Sequence, residues 1–486
     1  MTQPQRIIVL GAGITGLAAA HRCRELASAQ GRAVAVTVLE RSERAGGCIE
    51  TLYDDGYIAE TGPDSLVTEK PAALDLARRL GLERDVTPMR PEYRGARVVR
   101  SGRLIPIPDD FRLFTPTSLA GLVRSRLFSP AGLSRAAVEP FVPRRRDDGD
   151  ESLASFVTRR FGSDVLNRLA QPLIGGIYCG DPKRLSMQAT MPQMLALERK
   201  HGSVVLAMRS ASRKARGAAP PPPRLVSLRG GLGTLTAALE RELRDCIQTS
   251  SDVRSLRRTA GGDGWTVALA DGREMEADAV VCALPASASA RLLAATAPRL
   301  SDLLASITYH TAATVTMAYA ERDVAGLPRC TGFVVPHVEG RKILSATFSS
   351  QKYPGRAPAG YALLRAYIGG ALQPSVPKLG DDEMVDVVRS EFRELLGITA
   401  EPLFSIVRRW PGALPEYAVG HVDLVAQIFG EVSAMEGFAL AGSAYRGVGI
   451  ADCIRGGEEA AQTVLSSAPR PPAALRLDEV RSAGIP

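Results

Sequence analysis

A glycine-rich turn between an apolar strand and a helix constrains this chain more than any other feature. Residues 6–10 form a short apolar run, and a helix rich in Ala and Leu is predicted over residues 14–29. A second apolar run over residues 34–39 ends at an acid, Glu40. Strand, glycine turn, helix and strand make one βαβ unit, which implies a parallel sheet. The turn itself consists of Gly11, Ala12, Gly13, Ile14, Thr15 and Gly16.

This arrangement is typical of a dinucleotide-binding site. Gly11 permits the tight turn, Gly13 lets the backbone approach a pyrophosphate, and Gly16 allows the helix to pack closely on the sheet. The free N–H groups at the helix amino terminus attract phosphate. The Glu40 carboxylate can accept hydrogen bonds from both hydroxyls of an adenosine ribose. We therefore predict a nucleotide cofactor, and the motif alone leaves NAD and FAD open.

The size and composition of the chain fit a globular protein of several domains. It has 486 residues, of which 45% are hydrophobic and 23% charged. One hydrophobic core rarely organises this length, so we expect two or three domains and exclude a single small binding module. Seven dispersed cysteines favour buried free thiols in a reducing compartment. The amino terminus lacks signal-peptide order, and no apolar run is long enough to cross a bilayer.

The positive charge of the chain is concentrated in one segment. The formal net charge is +8, and residues 90–146 contain twelve Arg and four acidic residues. Such a segment can meet nucleic acid, anionic lipid or an anionic substrate, or it can be a solvated surface. No recognised nucleic-acid motif accompanies the charge, so we expect no nucleic-acid partner.

The residues that follow the βαβ unit resemble the FAD-binding segment of the amine oxidase and protoporphyrinogen oxidase superfamily. In that family, paired glycines and a Gly-Pro turn bring the backbone close to the pyrophosphate and the flavin. The resemblance implies FAD as the cofactor. Cys48 stands where the superfamily often has Arg or Trp. The matching residues are Arg41, Gly46, Gly47 and Cys48, then Gly62, Pro63, Asp64 and Ser65.

The carboxyl-terminal part resembles the second flavin-binding motif of the same family. Cys453 matches the branch whose flavin is held without a covalent bond, so we expect non-covalent FAD. Val253 resembles the segment whose backbone contacts adenine, although an ordinary strand valine is an equal alternative. Trp410 resembles the family tryptophan that lies near the flavin. The motif residues are Gly442, Val448, Gly449 and Ile450.

Two segments resemble the protoporphyrinogen oxidase branch in particular: residues 171–187 and residues 445–454. This branch implies oxidation of protoporphyrinogen IX to protoporphyrin IX in haem biosynthesis. Hydride transfer to FAD is then followed by reoxidation with oxygen, which gives hydrogen peroxide. Oxidation of coproporphyrinogen III to coproporphyrin III by the same fold is the nearest alternative. Another FAD-dependent enzyme of the amine oxidase type is the next.

A porphyrinogen is an apolar macrocycle with carboxylates, so its pocket needs hydrophobic walls and at least one cation. Arg97 resembles the family arginine that pairs with a propionate, a contact that suits the guanidinium fork. A solvated surface arginine is the alternative. Five further residues resemble the pocket wall: Gly176, Gly332, Val334, Thr347 and Ile368.

No catalytic residue and no metal ligand can be assigned. None of the five histidines belongs to a recognisable acid/base pattern, and the sequence contains no nucleophile triad or metal-binding cluster. In the family reaction the cofactor supplies the electron chemistry. We therefore expect the protein to orient the substrate against the cofactor and to exclude competing reactions.

The expected fold is α/β with an added helical part. A Rossmann-type FAD-binding domain is assembled from the discontinuous segments 1–70, 224–300 and 409–468. A helical, membrane-associating insertion covers residues 71–217, a mixed-sheet substrate domain covers 301–408, and 469–486 form a tail. A proline-rich linker is expected over residues 218–223. Predicted helices are 72–80, 153–161, 191–208 and 453–465, and predicted strands include 265–269, 279–283, 312–319, 361–368 and 438–440.

Residues 111–128 mix Phe and Leu with Arg, as helices at a membrane interface do. The family resemblance also implies a membrane-associating helical domain and a homodimer. We therefore expect a cytoplasmic protein that can bind peripherally to the inner face of the cell membrane.

Overall fold

The computed structural model describes residues 3–108, 111–112, 114–116, 121, 126–214 and 223–466. Its strands, in chain order, are β1 Gln5–Leu10, β2 Val34–Leu39, β3 Thr51–Asp54, β4 Tyr57–Glu60, β5 Leu66–Val67, β6 Val86–Pro88, β7 Arg97–Arg100, β8 Arg103–Pro106, β9 Phe111–Arg112, β10 Thr115–Pro116, β11 Leu225–Leu228, β12 Ile247–Gln248, β13 Val253–Arg258, β14 Trp265–Leu269, β15 Glu274–Ala277, β16 Ala279–Cys282, β17 Tyr309–Ala320, β18 Gly332–Val334, β19 Ser345–Phe348, β20 Tyr361–Gly369, β21 Phe404–Pro415 and β22 Phe438–Leu440.

The helices of the described residues are concentrated between the strands of the two main sheets. The α-helices are Ile14–Ala29, Ala72–Arg79, Pro130–Ala137, Leu153–Phe161, Ser163–Val165, Gln171–Tyr178, Met187–Thr190, Pro192–His201, Val204–Lys214, Gly233–Glu242, Ala286–Leu293, Pro298–Ala305, Ser349–Lys352, Asp381–Leu396, His421–Ser433 and Ile450–Ser466. A short π-helical stretch, Leu166–Ala170, joins two of them.

The first main sheet is parallel and draws on segments far apart in the chain. Its order is β12, β2, β1, β16 and β22, and every neighbouring pair is parallel. Both faces of such a sheet must be covered. One face packs on helices Ile14–Ala29 and Ile450–Ser466, and the opposite face packs on β14 and helix Ala286–Leu293. Residues from both ends of the chain thus share one core.

The second main sheet is mixed. It combines strands of the predicted substrate domain, residues 301–408, with β7 and β8, which fall in the predicted helical insertion, residues 71–217. Its order is β21, β17, β20, β19, β18, β7 and β8, with the pair β18 and β7 parallel and the other pairs antiparallel. On β20, Leu364, Ala366 and Ile368 pack against helix Asp381–Leu396. Since side chains alternate along a strand, Arg365 and Tyr367 point to the opposite face.

The helical part around residues 126–214 has its own apolar core and a buried ion network. Arg160 and Glu139 are fully buried and paired, and Arg160 also lies 3.3 Å from Glu198. Glu198 pairs in turn with Arg159 at 2.6 Å. A buried charge must be paired to be tolerated, so these contacts fix the packing of the helices.

Helix 191–208 was predicted as one element, and the structure divides it. Gly202 has a φ of 72° and ends helix Pro192–His201, and a separate helix, Val204–Lys214, then begins. The Ser203 hydroxyl accepts a hydrogen bond from Leu206 N–H at 3.1 Å, which caps the second helix. The strands predicted at 265–269 and 438–440 are confirmed with the same bounds.

The predicted interfacial segment is described only in part. Phe111, Phe114, Leu127 and Phe128 are buried in the helical core, so these four side chains are not a membrane-facing surface. Residues 113, 117–120 and 122–125 of this segment, most of the linker 218–223 and the tail 469–486 lie outside the described residues. No helix within the described ranges combines the length and the apolar content that a bilayer crossing requires.

Candidate functional site

The carboxyl ends of four parallel strands meet at one edge of the first sheet. Gly11 N–H donates to Leu39 O at 2.8 Å, which joins the glycine turn to the end of β2. Ala283 N–H donates to Leu10 O at 2.9 Å, and Ala441 N–H donates to Cys282 O at 3.0 Å. Loops from residues 11, 283 and 441 therefore leave the sheet side by side. Ligands of parallel sheets bind in the crevice at this edge.

The glycines of the first turn differ in what the fold requires of them. Gly11 has a φ of 94°, and a Cβ on Gly16 would lie 1.9 Å from Gly11 O, so both positions need glycine. Gly13 is different. Its φ is −70°, and a Cβ there would meet nothing within 4 Å. The space beside Gly13 is thus left free at the amino terminus of helix Ile14–Ala29, where a phosphate binds.

The second glycine pair lies directly on this turn. Gly46 N–H donates to Ala12 O at 2.8 Å, and a Cβ on Gly47 would lie 3.1 Å from Gly13 Cα. The Glu40 carboxylate accepts hydrogen bonds from Ala12 N–H at 2.8 Å and from Ser42 N–H at 2.9 Å. Glu40 therefore stands at the mouth of the turn, as the motif predicts.

Two residues predicted for the nucleotide end lie at the edge of this group. Ser251 N–H donates to Glu40 O at 2.7 Å, which brings Val253 and the start of β13 next to the acid. Arg41 is exposed. Both remain predictions as ligands.

The Gly-Pro turn packs against the paired glycines and against the second sheet. A Cβ on Gly62 would lie 1.9 Å from Cys48 O, so the two segments touch through their backbones. Thr61 O accepts hydrogen bonds from Trp410 Nε1 at 3.0 Å and from the Thr314 hydroxyl at 2.9 Å. The predicted tryptophan, the turn and the glycine pair are therefore brought together.

The carboxyl-terminal motif closes the crevice from the other side. Gly442 has a φ of 147°. The Tyr417 hydroxyl donates to Ser443 O at 2.6 Å and accepts from Gly447 N–H at 2.8 Å, which fixes the loop before Val448. The remaining motif residues, Gly449 and Ile450, lead into helix Ile450–Ser466.

Tyrosine contacts join this loop to the branch-specific segment. The rings of Tyr178 and Tyr417 are 5.9 Å apart, and Tyr417 stacks on His421 at 4.0 Å. Burial raises the pKa of Tyr178 to about 12. The segment predicted from residues 171–187 thus reaches the loop of residues 443–447.

Cys48 lies beside the Gly-Pro turn, since its backbone O is 1.9 Å from the position of a Cβ on Gly62. Its side chain is exposed. Five of the seven free cysteines are buried, as expected, whereas Cys48 is exposed and Cys179 is half-buried.

One face of the second sheet carries an unusual row of polar side chains opposite the crevice. We name this row the polar strip. Buried sheet faces are normally apolar, so polar groups here indicate a bound polar molecule or a special structural duty. In register across the strands, the strip consists of Arg408 and Trp410 on β21, Thr314 and Thr316 on β17, Arg365 and Tyr367 on β20, and Ser345 and Thr347 on β19.

Buried ion pairs hold the Gly-Pro turn on the polar strip. Asp64 accepts hydrogen bonds from Lys352 Nζ at 2.7 Å and lies 2.9 Å from Arg365 Nη2. Burial alone would raise the pKa of Asp64, but the two cations outweigh it and hold that pKa well below its usual range. Arg365 also donates to Glu60 O at 2.6 Å and to Gly62 O at 2.8 Å.

A second acid supports the same turn from the side of β21. Glu50 accepts hydrogen bonds from the Thr61 hydroxyl at 2.8 Å and from Arg408 Nε at 2.7 Å, and it lies 3.1 Å from Arg44 Nε. Burial opposes ionisation, but these donors lower the pKa of Glu50. The carboxylate therefore stays charged and tied to its partners at neutral pH.

Three of the predicted pocket residues lie on the face of the polar strip. Thr347 belongs to the strip, and Gly332 and Val334 continue it on β18. A Cβ on Gly332 would lie 2.1 Å from Ala346 O, so the strand pairing itself requires glycine there. Gly176 lies on helix Gln171–Tyr178 and lines a small cavity with Val335.

Arg97 and Ile368 point away from the strip, which corrects their predicted role. Arg97 is in register with Phe333, and Phe333 packs in the core beneath helix Asp381–Leu396. The Arg97 guanidinium donates to Leu104 O at 3.2 Å. Ile368 is fully buried in that same core. Side chains alternate along a strand, so both residues face the wrong side to contact a ligand in the crevice.

Sequence reasoning missed Lys352, Arg365 and Tyr367. One signal was present, because Arg365 interrupts an otherwise apolar run over residues 361–369. Lys352 lies on the short helix Ser349–Lys352, and nothing near it in sequence indicates Asp64 as a partner. Burial raises the pKa of Tyr367 to about 12, so its hydroxyl stays protonated.

Comparison with known proteins identifies the family. The model of flavin-containing amine oxidoreductases matches residues 14–465. The chain belongs to this family. Among curated relatives, the coproporphyrinogen III oxidase of Bacillus subtilis (strain 168) is 32% identical, with 95% of this chain and 98% of that protein covered. The chloroplastic protoporphyrinogen oxidase of Nicotiana tabacum is 31% identical, with 94% of this chain and 85% of that protein covered.

A solved structure agrees with these relatives. The crystal structure of a protein from Exiguobacterium sp. 255-15, assigned as a protoporphyrinogen oxidase, is 30% identical. It matches with a TM-score of 0.85 and covers 96% of this chain and 99% of its own. This member of the flavin-containing amine oxidoreductases is therefore an FAD-dependent oxidoreductase. The free space at Gly13 and the backbone contacts of Gly47 and Gly62 fit such a cofactor.

The free space at Gly13 gives a direct test of the cofactor site. We expect Gly13→Ala to leave the melting temperature of flavin-free protein unchanged and to raise the Kd for FAD about tenfold or more, because the methyl group would occupy the path of the pyrophosphate. Calorimetric titration of flavin-free protein with FAD measures this.

Gly430→Ala is the matched control. A Cβ on Gly430 also meets nothing within 4 Å, but Gly430 lies on helix His421–Ser433 and not in the glycine turn. Its FAD affinity should equal that of the parent. An unchanged Kd for Gly13→Ala would remove the first turn from the cofactor site.

Proposed function

We propose that this chain oxidises a porphyrinogen to the corresponding porphyrin in haem biosynthesis. The single observation that carries the proposal is the match to porphyrinogen oxidases over 94–96% of this chain. The crevice between the glycine turns and the polar strip supports it. This crevice also borders an apolar core to which Val98, Val334 and Val448 contribute, as a macrocycle requires.

In each proposed cycle the porphyrinogen loses a hydride from a bridging methylene and a proton from a pyrrole nitrogen. Bound FAD supplies the acceptor for the hydride. Oxygen then takes up two electrons and two protons and becomes hydrogen peroxide. Repeated cycles of this kind give the porphyrin.

The residues of the chain hold and orient the reactants. The helix that starts at Ile14 and the Glu40 carboxylate are placed to bind the nucleotide end of a non-covalent FAD. The backbone contacts of Gly47 and Gly62 hold the glycine turns together beside the position expected for the ring system. Tyr367 stays protonated at neutral pH and can donate a hydrogen bond, so we assign it an orienting role and assign no catalytic base.

Protoporphyrinogen IX is the substrate predicted from the sequence, and coproporphyrinogen III is the second candidate. Relatives of both kinds support the proposal, because the B. subtilis coproporphyrinogen III oxidase is matched over 98% of its length and the Exiguobacterium protein over 99%. The two substrates share the macrocycle and differ in their carboxylates. The same crevice chemistry therefore serves either one.

A paired fluorescence assay tests the proposal. Purified enzyme is given protoporphyrinogen and coproporphyrinogen in parallel, and porphyrin emission and peroxide are measured together. We expect at least one substrate to be oxidised, with one peroxide for each electron pair. A protein that oxidises neither, or that oxidises only amines, would contradict the proposal.

The geometry of the second sheet predicts which side chains affect porphyrinogen oxidation. Tyr367→Phe leaves Arg365 with an unpaired donor and removes a hydroxyl from the polar strip, so we expect kcat/KM to fall about tenfold. Arg97→Ala changes a residue on the opposite face and should leave kcat/KM within about twofold. Steady-state kinetics of both variants decide this. A larger loss in Arg97→Ala than in Tyr367→Phe would refute the placement.

We also propose peripheral binding to the inner face of the membrane, through a different surface from the one predicted. Phe141 is 85% exposed, and Leu206 is 47% exposed on the adjoining segment. Glu139 links the two segments, since its carboxylate accepts from Val204 N–H at 3.0 Å. Arg144 donates to Arg199 O at 3.1 Å, which brings basic groups beside this apolar surface. Exposed apolar side chains next to arginines suit anionic lipid.

Vesicle co-sedimentation tests the surface. We expect the parent to bind vesicles that contain anionic lipid, and we expect Phe141→Ser with Leu206→Ser to weaken binding about tenfold, because two apolar side chains no longer leave water. Val422→Ser is a control, since Val422 is 44% exposed on another helix. Equal sedimentation of parent and double variant would refute this surface.

A homodimer remains a proposal that sedimentation velocity would test.

A further inference from the structure

The turn Gly62–Ser65 rests on a buried group of three charges that we name the Asp64 triad: Asp64, Lys352 and Arg365. Lys352 Nζ lies 2.7 Å and Arg365 Nη2 lies 2.9 Å from the Asp64 carboxylate. Arg365 is only 1% exposed and Lys352 only 9%. The triad thus joins a loop of the crevice to β20 and to helix Ser349–Lys352, through residues far apart in the chain.

The charges of the triad do not cancel. Two cations and one carboxylate leave a net charge of +1 in a largely dry place. Glu60 adds one carboxylate and Arg356 one cation, with Arg356 Nη2 3.8 Å from the Glu60 carboxylate, so this pair leaves the sum unchanged. Glu50 is already held by two cations of its own, Arg408 and Arg44, so it does not offset the charge of the triad. An uncompensated buried charge is costly, so a net positive triad at the crevice calls for negative charge within the crevice.

Arg365 shows the same imbalance at the level of hydrogen bonds. Its Nη1 donates to Glu60 O and Gly62 O, and its Nη2 contacts Asp64 and the Tyr367 hydroxyl. Its Nε–H is buried and has no acceptor within the described residues. The turn and the strip therefore hold the guanidinium together. Asp64 alone does not satisfy all of its N–H donors.

We propose that the Asp64 triad sets the reduction potential of the bound cofactor, with Lys352 and Arg365 as positioning residues that act through the turn Gly62–Ser65. Hydride transfer adds negative charge to a flavin, and net positive charge beside it favours the reduced form. The inference rests on the proposed function, since it places FAD beside this turn. It deepens that function by naming the residues that drive electron transfer from porphyrinogen.

Three variants change the charge of the triad in steps of one. Lys352→Met lowers it from +1 to 0, Asp64→Asn raises it to +2, and the double variant restores +1. The measurement is the midpoint potential of bound FAD, by dye-coupled titration at pH 6.5, far below the ordinary pKa of lysine. No substrate turnover is needed.

We expect Lys352→Met to shift the redox equilibrium about tenfold toward oxidised FAD, or about 30 mV for a two-electron couple. Asp64→Asn should shift it by a similar factor in the opposite direction. The double variant should return close to the parent value. A triad that only fastens the turn would give no such order, because each change would loosen the turn further.

Matched controls separate charge from folding. Lys342→Met removes an exposed lysine on the far side of the sheet, where the Lys342 N–H donates to Glu391. The midpoint potential of FAD in this variant should equal that of the parent. Lys352→Arg keeps the positive charge, so this variant should bind FAD with the potential of the parent. If Lys352→Met binds no flavin, the potentials of Lys352→Arg and Asp64→Asn still test the effect of charge. Equal potentials in Lys352→Met and the parent, or a shift in the double variant as large as in either single variant, would overturn the proposal.

The outcome is distinguishable from failure of the proposed function. If porphyrinogens are not oxidised but the potentials follow the order of charge, the triad stands and the substrate is wrong. If porphyrinogens are oxidised and the potentials do not move, the triad is structural only.

Discussion

Backbone contacts that leave no room for a side chain hold this molecule together at its site. A Cβ on Gly16 would lie 1.9 Å from Gly11 O, and a Cβ on Gly62 would lie 1.9 Å from Cys48 O. A Cβ on Gly457 would lie 2.2 Å from Thr15 O, where the last helix crosses the first. Because these approaches admit only glycine, segments from both ends of the chain can close around one crevice. The second sheet then supplies the opposite wall.

The polar strip explains why that wall is not simply core. One face of the second sheet buries Leu364, Ala366 and Ile368 against helix Asp381–Leu396, and the other face carries Arg365 and Tyr367. Placing such groups inside a protein costs free energy unless each is paired. Pairing with the Glu60–Ser65 segment offsets most of this cost and leaves a net positive charge. Stability and cofactor chemistry are therefore linked at the same residues.

Much of this arrangement could be predicted because its signals are local. The glycine turn, the acid at Glu40 and the flanking strands are adjacent in sequence, and the structure has them as expected. The resemblance to flavin enzymes linked residues 40–65 with residues 442–450, and these segments do meet at one edge of the first sheet. The family match and the relatives confirm FAD and the oxidoreductase class.

The remaining features depend on contacts that the sequence does not display. Arg97 and Ile368 were predicted as pocket residues, but each lies next in sequence to a position that faces the strip. Because side chains alternate along a strand, a shift of one residue turns the side chain to the other face of the sheet. The partners of Asp64 lie 288 and about 300 residues away in the chain. The apolar periodicity of residues 191–208 predicted one helix, but Gly202 adopts a left-handed φ and divides it. The Ser203 hydroxyl that follows donates to Glu139, a partner about 60 residues away that the local pattern does not display.

The central claim is that one crevice, closed by both ends of the chain, holds a single non-covalent FAD. The most direct measurement is the visible spectrum of the freshly purified protein together with the mass of the molecule that acid releases from it. We expect flavin absorbance bands and intact FAD at one equivalent per chain. A colourless protein, a bound nicotinamide nucleotide, or a flavin that stays attached after denaturation would contradict the claim.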